Sequence, residues 1–134
     1  LAAPLSSKFA GRDSVDLAEL SEERFVSLAG SRQLRAICDG LCDSVGFTPD
    51  IVFESDSPYM VRNLIGAGIG VSFWPAYSWG EFTSDKAVLI PIRRPICRRK
   101  LVVRLNRKAA YSPKCKDFYQ YILQHMQSIM RMNT

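Results

Sequence analysis

Met60-Val61-Arg62-Asn63-Leu64-Ile65-Gly66-Ala67-Gly68-Ile69-Gly70-Val71-Ser72-Phe73-Trp74-Pro75 reads as a helix that gives way to a strand. Met60, Val61, Leu64, Ile65 and Ala67 form one apolar face at helical spacing. Gly66, Gly68 and Gly70 end the helix, and the apolar run over 69–74 follows until Pro75 stops it. The glycines precede the strand instead of following it. They are therefore not a dinucleotide-binding fingerprint, and their expected role is backbone geometry and close packing.

Working outward, the same alternation recurs. Upstream, Ser55 or Ser57 can cap the helix, with Pro58 in its first turn, and 50–54 (DIVFE) reads as a strand. Before it, Leu34, Ile37, Cys38, Leu41, Cys42 and Val45 alternate at spacings of three and one, a clean helix face. Ser31 is its plausible N-cap, Gly46 its stop, and Thr48-Pro49 confirms the break. Phe25-Val26-Ser27-Leu28 is strand length, 13–20 a single helical turn, and 1–10 a strand end entering a loop. Downstream come an aromatic segment (Tyr77, Trp79, Phe82), strands over 87–92 and 98–105, and a helix opened by Ser112-Pro113. That helix carries Phe118, Tyr121, Ile122, His125, Met126 and Ile129 on one side. Strands alternating with helices predict an α/β fold with a mainly parallel sheet flanked by helices.

Bulk properties narrow the function. The chain has 134 residues, 47% hydrophobic and 23% charged, which suits one ordinary globular domain. No apolar run is long enough to span a membrane, and the start has no secretory pattern. The missing initiator Met suggests a piece of a longer protein. Cys38, Cys42, Cys97 and Cys115 include no CxxC pair, so reduced cytosolic thiols are expected, with no metal and no cofactor. Catalysis has no footing: there is no GxSxG elbow, and His125 lies on the apolar side of its helix. Arg93, Arg94, Arg98, Arg99, Lys100, Arg104, Arg107 and Lys108 make a basic stretch within a net charge of +5. Little aromatic interleaving favours a solvated face, or a patch that attracts an anion, over direct DNA contact.

The order of pieces resembles the effector-binding domain of LysR-type bacterial transcription regulators. The resemblance is carried by VDLAEL, GSRQLR, an amphipathic helix ending in Gly-Phe-Thr-Pro, FESDS and MVRNLIGAGIGVSFWP. RRKLVVRLNR and SPKCKDFYQYIL complete it. It covers essentially the whole chain and implies a periplasmic-binding-protein-like type II lobe. Residues 12–94 would be the second regulatory subdomain, with 1–11 and 95–134 a remnant of the first. The opening strands of that first subdomain and a winged helix-turn-helix would lie outside this sequence.

The resemblance also implies a small-molecule effector in the cleft between subdomains, met by the loop after the first strand. Here that loop is Leu28-Ala29-Gly30-Ser31-Arg32-Gln33. Free N–H groups at a helix start, a Ser31 hydroxyl and an Arg32 guanidinium suit a carboxylate. Ser31 can equally be a cap, and Arg32 a solvated charge. Ser57 stands on the same edge or only caps its helix, and Phe73 or Trp74 lines the cleft or joins the core. The expected protein is a cytoplasmic homo-oligomer that touches DNA only through the absent domain. A solute-binding protein, a fragment of a two-lobed enzyme, and a nucleic-acid binder using the basic stretch are the alternatives. Cys42 falls near one position of the paired cysteines that sense peroxide in some members, but Gln33 occupies the other, which disfavours that chemistry.

Overall fold

Phe25-Val26-Ser27-Leu28 lies in an interior strand of a computed structural model that describes residues 1–29, 32–98, 100, 102–106 and 112–132. This strand, β3 (Arg24–Leu28), follows β1 (Ala2–Pro4) and β2 (Val15–Asp16). It pairs in parallel with β4 (Asp50–Ser55). On its other side the Val71 N–H donates to the Arg24 carbonyl and the Val26 N–H to the Val71 carbonyl, both at 2.8 Å. Ser72 and Ala2 exchange a second pair of bonds at 3.0 and 2.8 Å, in antiparallel sense. β1 also pairs antiparallel with β5 (Ala87–Leu89). The lateral order is therefore β4, β3, residues 71–72, β1, β5, and β2 pairs in parallel with β6 (Ile92–Arg94) elsewhere.

Helices cover both faces of this sheet because β3 side chains alternate. Phe25 belongs to a core cluster with Phe9, Leu17, Leu20, Val71 and Cys42, the last supplied by α1 (Arg32–Asp43). Val26 belongs to the opposite cluster with Ala2, Val61 and Ile65, supplied by α2 (Pro58–Gly66). Each fully buried side chain of this size stabilises the fold by about 1.5–3 kcal/mol. Gly46, at φ +90°, stands just beyond the end of α1. α2 ends where Gly68, at φ +79°, donates its N–H to the Ile65 carbonyl.

Several expectations are refined. The turn over 13–20 is β2 plus a 3₁₀ turn, Leu17–Leu20. The strand over 69–74 narrows to bridges at Val71 and Ser72. The strand over 87–92 divides into β5 and β6 at Pro91, which has no N–H to give a ladder. α3 (Ala76–Trp79) occupies the aromatic segment, where Trp74 meets Trp79 and Phe82 edge-on at 4.8 and 4.7 Å.

The chain divides into two compact units, Leu1–Arg98 and Arg99–Thr134. β1 and the loop after it belong to the first unit. The second contains α4 (Pro113–Met132). Of the strand expected over 98–105, residues 98, 100 and 102–105 have no strand pairing among the described residues, and Arg99 and Leu101 lie outside them. Alternating apolar residues become a strand only where an edge accepts their backbone groups. His125, expected on a semi-buried face, is exposed and stacks on Tyr121 with ring centroids 5.9 Å apart.

Candidate functional site

β3 and β4 end together. Leu28 is in register with Ser55, and one residue further the Ala29 N–H donates to the Ser55 carbonyl at 2.8 Å. α1 begins at Arg32 and α2 at Pro58, so two helix N-termini start from one sheet edge. Ser57 is the N-cap of α2. Its Oγ accepts the Met60 N–H at 3.4 Å, and its own N–H donates to Ser55 Oγ at 3.2 Å. Such an edge presents backbone donors and the positive ends of two dipoles, a setting that favours anions.

The anticipated residues fall as follows. Leu28 ends β3, Ala29 and Gln33 are exposed, and Arg32 is the first residue of α1. Gly30 and Ser31, and the side chains of Leu28 and Arg32, lie outside the described residues. Ser57 does cap its helix and stands beside this edge. Phe73 is half-buried on the α1 face, its ring stacked on Phe25 with centroids 5.9 Å apart. With Ser27, Arg35 and Trp79 it lines a depression there.

Sequence reasoning passed over Arg35. Its Nε donates to both carboxylate oxygens of Asp39 at 2.8 Å, and its Nη1 donates to Glu54 Oε1 on β4. The Asp39 carboxylate first, and Glu54 after it, hold the guanidinium firmly protonated. The Arg35–Asp39 spacing is a visible signal of a helix pair. Glu54 joins only through the tertiary fold.

None of Cys38, Cys42, Cys97 and Cys115 forms a disulfide. Burial, first, and then neighbouring Cys38, Asp39 and Asp43 push the Cys42 thiol up to about 12. In the basic stretch, Arg93 Nε stands 3.7 Å from Asp16 Oδ1, and Arg94, Arg98, Lys100 and Arg104 are exposed. Arg99, Arg107 and Lys108 lie outside the described residues. Among the described residues no group of three or more His, Cys, Asp or Glu is arranged to hold a metal. No helix among them is long and apolar enough to cross a membrane.

Comparison with known proteins gives this architecture its class. The family model of the LysR substrate binding domain matches residues 1–127. The chain belongs to that family, the effector-binding domain of LysR-type transcription regulators. It is 28% identical over 121 residues to the transcriptional dual regulator GltC of Bacillus subtilis. That match covers 90% of this chain and 40% of GltC, so the chain spans less than half the length of this relative. Among solved structures, it is 28% identical to the Pseudomonas aeruginosa PA01 protein, assigned to the LysR regulator family. The TM-score is 0.72, with 90% of this chain and 44% of that one covered. The effector-binding domain of QuiR, solved with shikimate, shares the fold at a TM-score of 0.67 and 15% identity. There 95% of this chain and 60% of that one are covered. The family's periplasmic-binding-protein-like fold agrees with the sheet order and helix layers described above.

Proposed function

We propose that this chain is the sensing module of a LysR-type regulator and binds a small organic anion where β3 and β4 end. The observation that carries this reading is the start of α1 and α2 from one edge, joined by the Ala29–Ser55 hydrogen bond. The binding residues are Leu28, Ala29, Gly30, Ser31, Arg32, Gln33, Ser57 and Phe73. Backbone donors and the Arg32 guanidinium take the carboxylate, and Phe73 gives an apolar wall. QuiR, solved with shikimate, supports a small polar organic ligand on this fold.

In this reading residues 12–94 are the second regulatory subdomain and 95–134 belong to the first, while residues 1–11, expected in the first, join the sheet and core of the second through β1 and Phe9. The effector lies in the cleft between them and undergoes no covalent change. Its binding shifts the orientation of subdomains, and of subunits in a cytoplasmic homo-oligomer, and so biases a DNA-binding domain outside this chain.

A thermal-shift screen tests this. Small carboxylates, shikimate among them, and their uncharged amides are added to the 134-residue chain, since a ligand that binds the folded state raises its melting temperature. A stabilising acid should lose its effect in Arg32→Ala. If only uncharged compounds stabilise the chain, the anionic reading is wrong.

A further inference from the structure

The connection between β3 and α1 is anchored at both ends on two successive residues of β4. Upstream, Leu28 is in register with Ser55, and the Ala29 N–H donates to the Ser55 carbonyl at 2.8 Å. Downstream, Arg35 in the first turn of α1 donates to Glu54, the residue before Ser55. Arg35 is also held from its own helix by Asp39, through Nε at 2.8 Å to each carboxylate oxygen. We propose that Arg35 is a positioning residue for effector binding, fixing the start of α1 to the β4 end that also fixes Ala29. This rests on the function proposed above.

Two features mark the link as tertiary in purpose. A cation near a helix N-terminus opposes the macrodipole, and a cation placed N-terminal to its i,i+4 carboxylate is the weaker order for helix support. Arg35 therefore stands where local helix energetics disfavour it, and Glu54 supplies the compensating contact from another element. An arginine fork engages two carboxylates from separate elements at once, whereas a lysine offers one compact charge. The guanidinium already faces Asp39 and Glu54, so it adds no free positive charge for the effector. Arg35 acts through the placement of Ala29 and α1, not as a ligand.

Amide hydrogen exchange on the 134-residue chain without effector tests this directly. The Ala29 N–H reports on the anchor, and the Val26 N–H, bonded to the Val71 carbonyl, reports on the sheet. Arg35→Ala and Glu54→Gln should each speed Ala29 exchange about fivefold, the upper range for a part-exposed ion pair, with Val26 unchanged. The double variant should be no faster than either single one, because both remove one link. Arg35→Lys should fall between. Unchanged Ala29 exchange, equal acceleration of Val26, or additive single effects would overturn the assignment. Because no effector is present, a failed ligand screen and a failed anchor are separate results.

Discussion

Gly70 passes so close to Arg24 that a Cβ at position 70 would stand 2.4 Å from the Arg24 carbonyl oxygen. The approach exists because Val71 must bond β3 on either side of Phe25, donating to the Arg24 carbonyl and accepting from the Val26 N–H. Gly70→Ala must push the strands apart, which costs about 1–3 kcal/mol, the usual range for overpacking. Gly68→Ala meets no neighbour but must adopt φ +79°, at a cost of about 1–2 kcal/mol. Urea denaturation should give a lower midpoint for both variants. A wild-type midpoint for Gly70→Ala would disprove the close passage.

Cys42 should be inert in the folded chain. Its thiol is fully buried, and burial pushes it up to about 12, so thiolate is negligible at neutral pH. The folded value lies above the unfolded value of about 8.5, so the stabilising effect is complete below that pH. It is lost as pH rises from there towards 12. Iodoacetamide at pH near 8, followed by peptide mass spectrometry, should leave Cys42 unlabelled until denaturant is added. Hydrogen peroxide should likewise leave it reduced. Labelling in the native state would contradict its burial.

Much of this fold is legible because its signals are local. The alternation of apolar residues from Leu34 to Val45 locates α1, and Gly46 marks its end. Ser57-Pro58 announces the cap and first turn of α2. The lateral order of the sheet is not legible, since nothing near Ala2 or Ser72 in sequence says that they pair. Residues 102–106 show the converse, strand-like residues with no described edge to pair with. In the site, the β3–α1 connection follows from strand and helix ends. The Arg35–Glu54 link crosses nineteen positions and needs the fold to bring it together. Phe73 was ambiguous between cleft and core because an aromatic at a strand end suits both, and its stacking on Phe25 gives it a core partner.

The Arg12–Glu19 pair should show itself at low pH. Two guanidinium nitrogens reach the two carboxylate oxygens at 2.7 and 3.0 Å, and the Asp16 N–H adds a bond at 2.9 Å. Arg12 first, then Asp16, lower the Glu19 carboxyl to about 2. A lowered folded value means the contribution to stability is present above the unfolded value of about 4.3. It is lost as pH falls from there towards 2. Carboxyl NMR titration should place the Glu19 midpoint near 2 in the wild type and well above it in Arg12→Ala. An ordinary midpoint in the wild type would show that the pair does not form in solution.

The second unit should make the isolated chain self-associate. On α4, Phe118 and Tyr121 are 63% and 61% exposed, one turn apart on the same side, and Val102 is 58% exposed. Large apolar side chains grouped on one helix face are a contact surface, and water penalises leaving them open at about 25 cal/mol per Å². Light scattering should therefore give a mass above the 15.1 kDa of one chain, falling as the protein is diluted. Phe118→Glu combined with Tyr121→Glu places two charges on that face and should return the species to one chain. If the wild type already runs at 15.1 kDa across the concentration range, the α4 face is not a site of association between copies.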